Sequence, residues 1–163
     1  MKKKILYISS SRADFGIAKN LLLKIKKDKN FSLSILATGS HYSKIYGSTY
    51  TEILKSNLKI NHSIKFDLNS IDTSFITSKI MSDLKNIFIN ERPDICIILG
   101  DRYELLGAAL TCFLNKIPVG ISFLRQFVMQ FTVSIIPPLP KAITGAPDAI
   151  ASTGAIPKSS NPA

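Results

Sequence analysis

Short apolar runs alternate with segments of helical periodicity through residue 121, and this alternation constrains the fold more than any other feature of the sequence. Runs typical of buried strands occupy residues 4–9, 33–37, 94–99 and 118–121. Strands that alternate with helices over short connections predict a parallel sheet with helices on both faces. The first 121 residues are therefore predicted to form a doubly wound, Rossmann-like α/β domain.

Apolar residues at helical spacing predict four helices between these strands. The helices cover residues 17–25, 49–55, 76–88 (about four turns) and 103–114. The last of them is apolar nearly all round, so we expect it to be buried between the sheet and a neighbouring element. Residues 58–66 instead alternate apolar and polar side chains with a period of two, which predicts a half-buried strand.

Polar loops follow three of the predicted strands, at residues 10–16, 38–47 and 100–104. In doubly wound sheets, ligands bind beyond the carboxyl ends of the strands. All three loops fall at that edge, which is therefore the predicted site.

The first of these loops, SSRADFG at residues 10–16, matches neither a dinucleotide fingerprint nor a P-loop. It nevertheless suits an anion, because a helix amino terminus offers free N–H groups and Arg12 adds a planar cation. The alternative is that Asp14 simply caps the helix. The loop alone does not decide between the two.

The loop at 100–104 places the carboxylate of Asp101 beside the guanidinium of Arg102, with Glu104 close behind. A carboxylate and a cation at a strand's carboxyl end can serve a substrate and a phosphate group respectively. The alternative is an internal Asp–Arg ion pair or a helix cap. The position at this edge favours the functional interpretation.

The two histidines and two cysteines carry weaker signals. His41 lies in the second polar loop and could reach the same edge, although such a histidine is more often a hydrogen-bonding surface residue. His62 is expected to be semi-buried with a hydrogen-bond partner. Cys96 and Cys112 lie in apolar stretches and suit buried free thiols in the cytoplasm. No cluster has metal-ligand spacing, so no metal is predicted.

The net charge is +10, from 21 basic and 11 acidic residues, which suits an anionic partner. The lysines crowd at residues 2–4 and 24–29, the latter at the end of the first predicted helix, where the helix dipole favours cations. We interpret them as a solvated basic face and predict no nucleic-acid partner. The apolar segment 117–139 is interrupted by polar residues and falls short of a membrane span, which leaves surface association open.

After residue 121 the composition changes. Only four of the last 43 residues are charged, and six of the eight prolines lie among them. We predict that residues 122–163 diverge from the first domain and that residues 137–163 are disordered or loosely attached.

Three runs together resemble a known family: SSSRADFG at 9–16, TGSHYSKIYGSTYTEI at 38–53 and RPDICIILGDRYELLGAAL at 92–110. They are similar to the hydrolysing UDP-N-acetylglucosamine 2-epimerases of bacterial sialic-acid and capsule pathways, and to the epimerase half of the bifunctional animal enzyme. The resemblance spans about residues 3–121. It implies the first half of a two-domain fold of the GT-B type, with a UDP-sugar in the cleft between the domains, and homo-oligomers for full-length relatives.

The resemblance also implies a chemistry. Such enzymes remove the C2 proton of UDP-N-acetylglucosamine, break the C1–O bond to release UDP, and add water to give N-acetylmannosamine, without a metal or nicotinamide. The matching positions are Arg12, Ala13 and Gly16 for the nucleotide, Arg102 for the phosphates and Asp101 as an acid–base carboxylate. Arg12 and Arg102 are expected within reach of one diphosphate.

The resemblance stops after IPVGI, where the family continues with a histidine-glycine-glycine-glutamate segment and this chain reads SFLRQF. We expect a frameshift or truncation, in preference to a cloning artefact, and an inactive chain. Two alternatives remain open: a non-catalytic nucleotide-binding module, and an interaction protein of doubly wound fold that uses its basic face on an acidic partner.

Overall fold

The computed structural model describes residues 1–66, 72–100 and 102–122. The expectations for Asp101 and for the segment after residue 122 therefore lie outside the described residues. The elements, in chain order, are β1 (Lys3–Ser9), α1 (Arg12–Lys27), β2 (Phe31–Ala37), a 3-10 turn (Gly39–Tyr42), α2 (Tyr50–Lys55), β3 (His62–Ser63), α3 (Thr73–Glu91), β4 (Ile95–Leu99), α4 (Tyr103–Leu114) and β5 (Val119–Ser122).

The five strands form one parallel sheet in the order β3-β2-β1-β4-β5. β1 is central and pairs along its whole length with β2, from Lys3 opposite Phe31 to Ser9 opposite Ala37. On its other side it pairs with β4, where Ile5 lies opposite Ile95. This arrangement confirms the predicted doubly wound parallel sheet.

Two apolar cores cover the two faces of the sheet. On one face, Tyr7 and Ile35 pack with α1 and α2 through residues such as Phe15 and Leu22. On the other face, alternate residues of the same strands pack with α3 and α4. Because β1 is buried on both faces, its side chains form a continuous apolar run instead of an alternating one.

The strand predicted over residues 58–66 is wrong in extent, since only His62 and Ser63 pair with β2. Leu58 and Ile64 are buried, so the alternation does report which side chains face the core. The pairing of β3 with β2 begins only at His62. Before it, Ile35 N donates to the side-chain Oδ1 of Asn61 at 3.1 Å, the place that a backbone carbonyl takes in a regular strand pair. Alternation predicts burial, whereas backbone pairing needs carbonyl acceptors in register.

Two helices also differ from their predicted form. α3 is longer than the apolar stripe because Asp72 caps it, accepting a hydrogen bond from Phe75 N, and because Arg92 ends it in a left-handed conformation. α4 is not buried on all sides: Leu106, Leu110 and Leu114 are exposed along with Phe113. Among the described residues, the core contacts of α4 come from the face that carries Leu105, Ala108 and Cys112.

Within the described ranges, no helix is both long enough and apolar enough to cross a membrane.

Candidate functional site

The carboxyl ends of β1 and β4 form the crevice at which the direction of winding reverses. The chain passes from β1 to β2 and β3 on one side, then returns to β4 on the other side of β1. Ligands of doubly wound sheets bind at such switch points. The loop after β1 and the loop after β4 meet here. They are so close that a Cβ added at Gly100 would lie only 2.9 Å from Asp14 Oδ1.

The loop after β1 is organised by two serines. Ser11 caps α1, since its Oγ accepts a hydrogen bond from Asp14 N at 3.3 Å. The cap is therefore not Asp14, which the sequence had left as one alternative. Its carboxylate instead accepts a hydrogen bond from Ser10 Oγ at 2.8 Å and lies against Gly100. Asp14 thus ties the loop after β1 to the loop after β4.

The residues matched to nucleotide binding lie at the amino end of α1. Ala13 and Gly16 are exposed there. Apart from its chain neighbours and the backbone of α1 itself, no described atom lies within 4 Å of the position that a Cβ on Gly16 would take, so the space beside it is open. Arg12 Nε donates to the Glu52 carboxylate of α2 at 2.9 Å, and its side chain is 73% exposed. Such an exposed ion pair is weak and leaves the guanidinium available.

Arg102 is held by Glu104 at the start of α4. Its Nη2 and Nε donate to Glu104 Oε1 at 2.9 and 3.1 Å. Glu104 is fully buried, whereas the Arg102 side chain is about one third exposed. Partial burial lowers the pKa of Arg102, but the hydrogen bonds and charge of Glu104 outweigh it, so the pKa is raised and the guanidinium stays charged. One edge of the guanidinium is thereby fixed while part of the group faces outward.

The loop after β2 packs against both other loops through Gly39, which has φ +60°. A Cβ there would lie 2.7 Å from Ser10 O and 3.0 Å from Glu104 Oε1. Ser40 N and Ser40 Oγ both donate to Ser10 O. The three loops therefore form one packed unit at this edge of the sheet.

His41 is fully buried, which differs from the surface position expected for a loop histidine. Its Nε2 lies 2.8 Å from Ser9 Oγ and its Nδ1 lies 2.9 Å from Thr49 Oγ1. Burial lowers the pKa of His41 and outweighs the negative charge of Asp14, which raises it. The lowered pKa favours the neutral ring at pH 7. Both nitrogens are engaged, and the ring links the end of β1 to the residue before α2.

His62 agrees with its prediction. It is half-buried, and its Nε2 lies 2.5 Å from Glu91 Oε1. In the part of the chain that the structure describes, no group of three or more His, Cys, Asp or Glu side chains could hold a metal ion.

The structure brings Arg102 together with Glu104 and pairs Arg12 with Glu52, so each arginine is held by a different glutamate. The sequence interpretation did not identify Ser9, Thr49 or Glu52 as parts of this edge. One signal was available: Gly39 directly follows a strand, which is typical of a close backbone approach. Chemically, the edge offers helix N–H groups and two cations, which suits an anionic ligand.

Gly39→Ala should destabilise the fold, because the methyl group meets Ser10 O and the backbone is left-handed. We expect a loss of about 2–4 kcal/mol in the free energy of unfolding, measured by urea denaturation. Gly47→Ala is the matched control, since Gly47 has φ +80° but no described atom near its added Cβ. It should lose only about 1 kcal/mol. Equal losses would show that the loop packing at Gly39 contributes nothing.

Stability should fall as the pH drops below the ordinary histidine pKa of 6.5, because the unfolded chain then binds a proton that the folded state of His41 excludes. One proton gives a slope of up to about 1.4 kcal/mol per pH unit. Urea denaturation at about pH 7.5 and pH 5.5 measures this loss, which should shrink in His41→Asn and persist in His62→Asn. An unchanged slope in His41→Asn would contradict the assignment.

Comparisons with known proteins agree with this fold and show the family. The family model described as UDP-N-acetylglucosamine 2-epimerase matches residues 23–120. The GDP/UDP-N,N'-diacetylbacillosamine 2-epimerase (hydrolyzing) of Campylobacter jejuni is 39% identical over 121 residues, which cover 72% of this chain and 31% of that protein. The UDP-N,N'-diacetylbacillosamine 2-epimerase (hydrolyzing) of Legionella pneumophila is 34% identical over 122 residues, covering 73% and 32%.

Among solved structures, the UDP-GlcNAc 2-epimerase from Neisseria meningitidis bound to UDP-GlcNAc superimposes with a TM-score of 0.66 at 20% identity. The match covers 81% of this chain and 36% of that one, and it supports the fold. The chain spans about a third of the length of the curated relatives it matches. The family match extends over more than half of the chain, and the chain therefore belongs to the UDP-N-acetylglucosamine 2-epimerase family.

Proposed function

We propose that this chain is the nucleotide-binding part of a hydrolysing UDP-N-acetylglucosamine 2-epimerase, which forms N-acetylmannosamine and UDP for sialic-acid or capsule biosynthesis in the cytoplasm. The observation that carries the proposal is the Arg102–Glu104 pair at the switch point, beside the amino end of α1. A buried carboxylate that holds a partly exposed guanidinium prepares it to bind a phosphate oxygen.

The diphosphate is assigned to the space between α1 and Arg102. The free N–H groups of the first turn of α1 favour an anion, and Arg12 adds an exposed cation. Its pair with Glu52 is exposed, so exchanging that carboxylate for a phosphate costs little. Ala13 and Gly16 leave open space beside this helix end for the nucleotide.

The chemical step needs a carboxylate near the sugar. Asp14 and Glu104 accept hydrogen bonds from Ser10 and Arg102, so neither is a free base. Asp101, between Gly100 and Arg102 in the sequence, remains the proposed acid–base residue. The C2 proton passes to a base as the C1–O bond breaks and UDP leaves with the bonding pair. Water then adds at C1 of the glycal and C2 regains a proton.

The identity of the sugar can be tested by assaying the complete protein with UDP-N-acetylglucosamine and with UDP-N,N'-diacetylbacillosamine. Two relatives are named for UDP-N,N'-diacetylbacillosamine, which shares the 2-acetamido group with N-acetylglucosamine. The described edge accounts for the diphosphate, which is common to both. A non-catalytic nucleotide-binding module is the alternative, and it predicts UDP binding by the complete protein without turnover of either sugar. We propose no metal, no nicotinamide and no nucleic acid in the reaction, and homo-oligomers for full-length proteins.

Arg102→Lys should weaken UDP binding about tenfold or more, because a point charge cannot reproduce the fork that Glu104 orients. The measurement is a UDP titration of the 163-residue chain followed by backbone amide shifts in the loops after β1 and β4. Arg92→Lys is the matched control, since Arg92 lies at the opposite edge of the sheet and should leave binding unchanged. Shifts confined to other regions of the chain would contradict the site.

The 163-residue chain alone should not release UDP from UDP-N-acetylglucosamine at a useful rate. In the structure, the described carboxylates of this edge are each held by a neighbour: Asp14 by Ser10, Glu104 by Arg102, and Glu52 by the exposed side chain of Arg12. None of them is placed as a second acid–base partner for Asp101, and each such partner typically contributes about a hundred- to ten-thousand-fold. The assay is release of UDP and N-acetylmannosamine, compared with a two-domain relative at equal concentration. Comparable turnover would show that this chain holds a complete site and that our assignment of the missing base is wrong.

A further inference from the structure

The edge of the sheet opposite the candidate site carries most of the positive charge of the protein. Here the helices end and the strands begin, in the segments 1–4, 24–30, 54–61, 91–94 and 114–118. We call these segments the basic edge. They contain eleven basic and three acidic residues, a net charge of +8 out of +10 for the whole chain. The site segments 10–16, 38–53 and 102–104 hold three of each sign, apart from the histidine.

The backbone joins the segments of the basic edge. Lys3 N donates to Asn30 O at 2.8 Å, and Asp94 N donates to Lys4 O at 2.9 Å, which places the chain start beside two helix-to-strand turns. Lys26 Nζ donates to Asn57 O and so brings in the turn after α2. These contacts join four of the five segments, and Cys96 N donates to Pro118 O at 2.9 Å, which places the fifth segment beside the start of β4.

Little of this charge is neutralised. All eleven basic residues are exposed. Among the described residues, Lys3 alone of the eleven has an ion pair, with Asp94 at 3.3 Å. The other two acids are engaged elsewhere: Glu91 contacts His62, and Asp28 accepts from Asn30 N. Apart from the Lys3–Asp94 pair, the basic edge is thus a positive surface whose charge the described acidic residues do not neutralise.

Exposed apolar side chains stand next to these cations. Met1 adjoins Lys2 and Leu54 adjoins Lys55, while Ile89 and Leu114 each precede a cation by two or three residues. All four are about half exposed or more. Cations interleaved with apolar side chains match the headgroup region of an anionic bilayer, which offers both negative charge and an apolar phase. A nucleic acid offers charge alone at its phosphates.

The kind of cation also favours lipid. Ten of the eleven are lysines, which act as hydrated point charges suited to a diffuse anionic surface. Base recognition in nucleic acids relies largely on the planar fork of arginine, and Arg92 is the only arginine here. β5 ends at the site edge, so the chain continues beyond residue 122 from the side that faces away from the basic edge.

We propose that the basic edge docks the protein on anionic lipid membranes, with the candidate site facing away from the bilayer. This proposal is independent of the sugar chemistry, because it uses no residue of the candidate site. The expected binding is electrostatic, peripheral and reversible. Lysines near an anionic bilayer strengthen binding roughly fivefold each, and the effect weakens with salt.

The test is co-sedimentation of the full 163-residue chain with vesicles at about 150 mM salt. It should bind vesicles that contain about one third phosphatidylserine, and not pure phosphatidylcholine. Lys27→Glu with Lys29→Glu should weaken this binding roughly 25-fold or more. The control Lys19→Glu with Lys44→Glu makes the same change in net charge away from the basic edge, and should weaken it far less.

Two further arms separate lipid from other partners. Ile89→Ser should weaken vesicle binding several-fold, since its apolar side chain no longer enters the interface, and should leave DNA binding unchanged. Tighter binding to a random DNA duplex than to anionic vesicles would overturn the proposal in favour of a nucleic-acid surface. Equal effects of the two lysine pairs would also overturn it, because binding would then follow net charge instead of the basic edge.

Discussion

Parallel pairing of β1 on both of its sides is the interaction on which the rest of this structure depends. β2 and β4 both align with it in register, so the loops that leave β1 and β4 emerge side by side at one edge. The reversal of winding between them opens the crevice where Asp14 contacts Gly100. The same pairing sends the helix ends and their lysines to the other edge. The strand order therefore determines the position of both the candidate site and the basic edge.

Small polar side chains hydrogen-bond the loops of the site edge to one another. The His41 ring is hydrogen-bonded to Ser9 and Thr49. Ser10 donates from its hydroxyl to Asp14 and accepts at its carbonyl from Ser40. These groups are buried, so leaving any of them unpaired would cost about 1–3 kcal/mol. Two of these hydrogen bonds, Ser9 with His41 and Ser40 with Ser10, join residues that are 30 or more positions apart. Arg102 is held by Glu104, whose carboxylate packs against Gly39 of the loop after β2.

The sequence was sufficient for the parts that rest on periodicity. Alternation of apolar runs and helical spacing predicted the parallel sheet, and three family runs fell on its carboxyl edge. It was insufficient where distant side chains meet. The burial of His41 follows from Ser9 and Thr49, which no local pattern connects. Ser11 and Asp14 are both good helix caps, but only Asp14 was considered as a cap from the sequence; Ser11 is the cap because its Oγ accepts a hydrogen bond from Asp14 N.

The same limit applies to strands and helices at the margins. The alternation over 58–66 described burial correctly, but Asn61 replaces a backbone acceptor and delays pairing. An apolar α4 was expected to be covered all round, whereas helix geometry lets one sheet cover one stripe only. Glu104 is a further example. Its carboxylate is fully buried beside Arg102, but a glutamate in such a charged stretch of sequence looks like a surface residue.

The central position of β1 also has a consequence for how the chain folds during synthesis. One of its two partners, β4, lies 90 residues further along the chain, with Ile5 opposite Ile95. Until that segment leaves the ribosome, one long edge of an apolar strand has no partner, and such edges promote aggregation. Pairing over so long a separation also slows folding. During synthesis, the unit of β1, α1 and β2 must therefore avoid aggregation until β4 has been made and can pair with β1.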